Sequence, residues 1–136
     1  MAFAFPATWA PQLRSVVRIV VGLMFMLHGA QKMLGFPDAG AKLQPHAPAY
    51  LKLAGIIELV GGALIAIGLL TSIVAFIAAG EMAVAYFKQH APGGFWPTLN
   101  GGELAVLYCF VFLYLAFAGP GPWSIDAMIG RGRTRR

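Results

Sequence analysis

A chain of 136 residues that is 59% hydrophobic and only 11% charged, with a mean hydropathy of +0.73, has too little polar surface to cover a soluble globule of its size. Its length allows one domain, and with lipid as the solvent the limits on a small soluble core no longer apply. The formal charge of +5 is largely a tail effect, since Arg131, Arg133, Arg135 and Arg136 fall in the last six positions; in so apolar a chain such a run is a topology anchor or an anionic-lipid contact, not a nucleic-acid arm.

The opening stretch MAFAFPATWAPQ has no basic n-region, and Pro6 and Pro11 interrupt its apolar residues, so it does not read as a cleaved signal. Phe3, Phe5 and Trp9 suit a segment over residues 1–13 that lies in the membrane interface. The first apolar stretch, 15–34, ends at GFPDAG, where Pro37 and two glycines stop a helix. A second runs over 50–70 and a third over 72–89. Only Thr71 and Ser72 mark the change between them, which demands a tight antiparallel hairpin.

HAPGGFWPTLNGG then breaks the chain before a fourth stretch, 102–118, and GPGPW opens a basic tail over 119–136. Each stretch holds about 17 to 21 residues, close to what a hydrocarbon core of about 30 Å requires. The expectation is an all-α transmembrane four-helix bundle of antiparallel up-down topology. Small residues, Ala75, Ala79 and Ala83 on the third span and Gly61, Gly62 and Gly68 on the second, suit close helix packing. Cys109, the sole cysteine, has no partner for a disulfide or a CxxC pair and reads as a small hydrophobe.

An even span count puts both termini on one side. That side carries Arg14, Arg18 and the four tail arginines, six basic residues against the four lysines Lys32, Lys42, Lys52 and Lys88 on the other. The bias places both termini in the cytoplasm, with Trp123 at that interface.

Ionisable groups inside a bilayer cost at least ~2.5 to 3.5 kcal/mol each, so they are kept where they face a partner or a cavity. His28 lies past the centre of the first span, about 4 to 5 Å toward the outside, with Lys32 a turn beyond and Gln31 beside them. Glu58 in the second span, Glu81 near the middle of the third, His90 at its outer end and Glu103 in the first turn of the fourth reach the same layer. Glu58, Glu81 and Glu103 are candidates for proton exchange, and His28, Gln31, Lys32 and His90 for ligand binding. At the other side, Arg18 either snorkels to the interface or forms a structural ion pair with Asp126.

No metal site is expected, because the Glu-x-x-His pairs of di-iron bundles are missing. A haem would need a second histidine at the depth of His28, and His90 lies too near the surface. Quinone binding needs only an apolar slot, a histidine or lysine donor and a carboxylate, all of which the layer offers. No nucleophile for Ser/His/Asp hydrolysis and no phosphate-cradling loop is present there.

HGAQKMLGF after an arginine-led first span, a glutamate and a GG pair in the second, GE in the third, NGGE opening the fourth and GPGPWSID closing it resemble the DoxX family of small four-helix membrane proteins. The matching positions are Arg18, His28, Gly29, Lys32, Glu58, Gly62, Glu81, His90, Glu103, Gly119, Gly121, Ser124 and Asp126, and the resemblance covers roughly residues 14–130. It implies a subunit or small-molecule-binding component of quinone- or thiol-linked redox metabolism in a bacterial-type inner membrane, with redox-enzyme subunits or further copies of itself as partners. The alternatives are a non-enzymatic scaffold or accessory subunit and a small proton-coupled transporter. The latter is disfavoured by the lack of broken helices and of an inverted repeat.

Overall fold

The computed structural model describes residues 5–133, and all regular structure among them is helical. The expected interfacial role of Phe3 and the basic contributions of Arg135, Arg136 and the Arg133 side chain lie outside the described residues. After a 3₁₀ turn at Ala7–Trp9, helix α1 runs over Ala10–Leu34. It begins ahead of the expected span because Pro11 sits in its first turn, where the missing N–H costs nothing. Gly35, at φ +71°, ends it: the Gly35 N–H donates to the Gln31 carbonyl and the Phe36 N–H to that of Ala30, a left-handed C-cap.

Helix α2 spans Ala49–Ile67 and helix α3 Thr71–Gly93. Each contains a five-residue π-turn, Ile57–Gly61 in α2 and Tyr86–His90 in α3. Helix α4 covers Glu103–Ala118, and a helix not expected in the tail, α5, covers Ile125–Arg133. Ser124 accounts for α5, since its Oγ accepts from the Ala127 N–H at 3.1 Å, an N-cap on the first turn.

Helices α1, α2 and α3 are each long and apolar enough to cross a membrane. Helix α4 is as apolar but has 16 residues, about 24 Å of helix, short of a hydrocarbon core of about 30 Å.

The helices pack as two pairs, α1 with α2 and α3 with α4. Glycines set the first seam. A Cβ on Gly22 would stand 2.7 Å from the Ala66 nitrogen, and those on Gly29 and Gly62 would collide with the backbones of Leu59 and Met26. The second seam buries Ala75, Ala78 and Ala79 of α3 against Phe112 and Leu115 of α4. Phe25 joins the pairs, its ring 4.7 Å from that of Phe112 and 5.4 Å from that of Tyr108.

Arg18 and Asp126 organise the end where α2 turns into α3, though not as a contact pair. The Arg18 side chain is fully buried and donates to four carbonyls: Pro120 at 2.7 Å, Ile65 at 2.7 Å, Ala66 at 2.5 Å, and Trp123. It therefore neither snorkels nor salt-bridges Asp126. Its charge is committed to the last turn of α2, where the Ile65 carbonyl accepts from it in addition to the Gly68 N–H, and where the helix dipole favours a cation.

Asp126 does the complementary task for α3. Its two carboxylate oxygens accept from the Leu70 and Thr71 N–H groups at 2.9 Å each, while its own N–H donates to the Gly68 carbonyl. A side chain from the end of the sequence thus caps the start of α3, and holds Leu70 at φ 53°, a left-handed conformation rare for leucine. Gly68 also takes φ +71°, and a Cβ there would strike Ser124. The segment GPGPWSID is accordingly a clasp over the α2–α3 turn.

Partial burial alone would push the Asp126 carboxyl up. The Thr71 and Leu70 N–H groups and the Arg18 charge outweigh that and hold it below its ordinary value of 3.8. A depressed folded value stabilises the fold above 3.8, and the contribution is lost as pH falls through the lower folded value. Asp126→Asn keeps one accepting oxygen but turns an amide N–H on the Leu70 or Thr71 N–H, and should therefore lower stability by about 1 kcal/mol at neutral pH, the usual worth of one hydrogen bond. Thermal unfolding in detergent should show the two proteins converging as the pH drops well below 3.8.

Candidate functional site

At the opposite end from the clasp, the chain gathers polar side chains in a cavity of about 280 Å³. His28 and Lys32 of α1, Glu58 of α2, Gln89 and His90 of α3 and Tyr108 of α4 line it, with Phe25 and Met82 as its apolar floor. The local sequence explains each placement. His28 and Lys32 are one helical turn apart and share a face. Gly29 lets α2 approach so closely that Glu58 is brought to within reach of Lys32. Both π-turns lie at this level, and the extra residue in each turns the side chains that follow relative to a regular helix, a feature that recurs at functional sites.

The Lys32 Nζ donates to Glu58 Oε1 at 2.6 Å, the only salt bridge among the described residues. The pair is asymmetric: the Glu58 side chain is 3% exposed and that of Lys32 31%. Glu58 Oε2 and the Tyr108 hydroxyl are buried with no protein hydrogen-bond partner. Such groups are costly to desolvate in a protein interior, and more so in lipid. The His28 ring stands edge-on to the Tyr108 ring, 5.9 Å between centroids.

His90 is oriented by the loop above it. Its Nδ1 lies 3.2 Å from the Asn100 carbonyl, which can only accept, so Nδ1 carries a proton. Asn100 in turn donates to the Tyr86 hydroxyl at 3.2 Å and to the Gly94 carbonyl at 2.7 Å, and Tyr86 donates to the Phe95 carbonyl. The loop between α3 and α4 is thereby tied down over the cavity.

A second cavity, of about 310 Å³, lies between α2 and α3. It shares Lys32, Ala85 and Gln89 with the first and is lined further by Tyr50, Leu53, Ile57, Ile77, Gly80, Glu81, Val84 and Lys88. Glu81 belongs here, half-buried, with Oε2 unpartnered and within electrostatic reach of Glu58 and Lys32. Lys88 sits over the Tyr50 ring at 4.0 Å from its centroid, a cation–π contact at the cavity's outer end.

Five of the expected residues therefore converge: His28, Lys32, Glu58 and His90 on one cavity, and Glu81 on the other across the shared Lys32. Gln31 is half-buried and lines neither. Glu103 is exposed and lines neither, and its charge in the first turn of α4 complements the helix dipole. Sequence reasoning did not single out Tyr108, Gln89, Tyr86 or Asn100. The Asn-Gly pair at 100–101 is a turn signal that marks Asn100, and Gly101 does take φ +74°. Among the described residues no group of three or more His, Cys, Asp or Glu side chains is arranged to hold a metal ion.

The family model for DoxX matches residues 13–91. An uncharacterized protein of Haemophilus influenzae is 44% identical over 126 residues, covering 87% of this chain and 91% of its own. An uncharacterized membrane protein of Mycobacterium tuberculosis is 28% identical over 134 residues, with 87% and 82% covered. A Bacillus subtilis protein named "Putative oxidoreductase CatD" is 28% identical over 124 residues, with 87% of each chain covered. No solved structure matches.

Proposed function

From the premise that this chain belongs to the DoxX family of integral membrane proteins, we propose that it is a small-molecule-binding component of quinone-linked redox metabolism, with the Lys32–Glu58 cavity as its binding site. The observation that carries this reading is the half-buried ion pair sharing one cavity with His28, His90 and Tyr108, beside two buried polar atoms without protein partners. Ionisable groups at membrane depth are retained for function unless they only pair with one another. Here the pair leaves an oxygen of Glu58 over. The oxidoreductase name of the Bacillus subtilis relative points the same way.

In this reading Lys32 and His28 donate to the oxygens of a quinone head, and Glu58 exchanges protons with Lys32. Tyr108 and the loop-held His90 close the cavity around the ring. Glu81 passes protons to the pair from the second cavity. Cys109 has no second thiol to pair with, so any thiol chemistry belongs to a partner subunit. All four apolar helices cross a bacterial-type inner membrane, α4 with the help of its flanking loops, and both termini face the cytoplasm. Redox-enzyme subunits, or further copies of the chain, are its partners.

The test is a thermal-unfolding screen of purified protein in detergent with short-chain benzoquinones and naphthoquinones. A saturating ligand at 100 times its Kd should add about 2.7 kcal/mol to the stability of the folded state, a readily measured rise in Tm. No rise with any quinone would defeat the proposal and leave the accessory-scaffold reading in its place.

A further inference from the structure

The cavity between α2 and α3 differs from the polar one in chemistry. Leu53, Ala54, Ile57, Ile77 and Val84 make its walls apolar, and Leu53, Ile77 and Val84 are exposed along its rim, so it opens on the surface that faces lipid. From Ile77 to Gln89 it follows α3 for about 18 Å at the helical rise. At its outer end stand Lys88 and Tyr50. At its inner wall it meets the polar cavity through Lys32, Ala85 and Gln89, which line both.

Gly80 lines this groove, and a Cβ built there meets nothing within 4 Å. That is unlike Gly22, Gly29 and Gly62, whose missing side chains make room for a neighbouring helix. The absent side chain at Gly80 widens the groove and does no packing work inside the chain.

Resting on the reading of the polar cavity as a binding site, we infer that its ligand is an amphiphile that enters from the lipid between α2 and α3 and leaves a hydrocarbon chain, alkyl or prenyl, lying in the groove along Gly80. The continuity of the two cavities at Lys32 supplies the route. The head reaches the hydrogen-bonding groups around Glu58 while the chain stays against Ile57, Ile77 and Val84. The Lys32 side chain, 31% exposed and shared by both cavities, stands where head and chain join.

Gly80→Leu should fill the groove without straining the fold, and Val84→Phe on the rim repeats the test from an exposed position. Two probes are titrated into wild type and both variants in the same detergent: a decyl-substituted benzoquinone and its methyl analogue. Comparing proteins for each probe cancels partition into micelles. The expected result is that Gly80→Leu weakens the decyl probe at least tenfold and changes the methyl probe less than twofold, with an unfolding temperature no lower than that of wild type. Equal affinity of wild type and both variants for the decyl probe would overturn the groove while leaving the polar site standing. Equal loss of both probes would overturn it as well, since the chain would then not be what the groove reads. If neither probe binds wild type, the polar-site reading falls and the groove falls with it.

Discussion

Arg18→Leu should abolish the folded, monodisperse state in mild detergent, or lower stability by at least about 3 kcal/mol where folded protein survives. The estimate is conservative. Each buried carbonyl left without a donor costs about 1 to 3 kcal/mol, and the substitution strands the carbonyls of Pro120, Ala66 and Trp123 together, while that of Ile65 keeps the Gly68 N–H. Two of the four belong to the last turn of α2 and two to the segment that follows α4, so the loss unfastens both from the α2–α3 turn. Arg18→Lys keeps the charge, but a lysine ammonium has three donors on one atom and cannot reproduce a planar fork that reaches four oxygens. It should therefore rescue only a minor part. Thermal unfolding and size-exclusion chromatography measure both variants, and a stable, monodisperse Arg18→Leu protein would show that the clasp is dispensable.

The second large effect separates the two uses to which the Lys32–Glu58 pair can be put. Lys32→Met leaves the 3% exposed Glu58 side chain without its partner and should cost on the order of 3 kcal/mol. Glu58→Gln should cost less, because Lys32, 31% exposed, can turn its ammonium outward. The double variant should recover most of the stability lost in Lys32→Met, since neutralising a buried pair together is often close to neutral. Ligand-dependent stabilisation should not recover with it. If the pair served packing alone, quinone response and stability would move together through the cycle.

Much of the architecture is legible in the sequence because lipid imposes a coarse rule. Apolar runs bounded by GFPDAG, HAPGGFWPTLNGG and GPGPW mark helices whatever their faces do, and the chain folds into helices within those bounds. Depth is legible too. Counting at 1.5 Å per residue puts His28 and Glu58 at about one level with Lys32 a turn beyond, and in that layer a 2.6 Å ion pair joins Lys32 to Glu58.

Direction around the helix axis was not legible. Helix α4 is apolar on all sides, so nothing in ELAVLYCFVFLYLAFA says that Tyr108 turns inward while Tyr114 turns outward. The outward direction of Glu103 was hidden for a related reason: first-turn residues can satisfy themselves at the helix end and need not face the bundle. The π-turns shift the register after Glu58 and ahead of His90, which a fixed 3.6-residue period cannot anticipate. Arg18 and Asp126 read as a pair because opposite charges in one region suggest each other as partners. The ends of α2 and α3 offered other ones, because many carbonyls and N–H groups at helix termini lack a partner within their own helix.

A cavity around Lys32 and Glu58 that binds a ligand differs from a packed polar network in one measurable way. An equilibrium titration of the purified protein with a short-chain benzoquinone reads it, run in parallel on the Lys32→Met/Glu58→Gln double variant after both are shown to be folded. Saturable binding to the wild-type protein, weakened at least tenfold in the double variant, is the expected result. Absence of binding to the wild-type protein, or equal binding to both, would contradict the account.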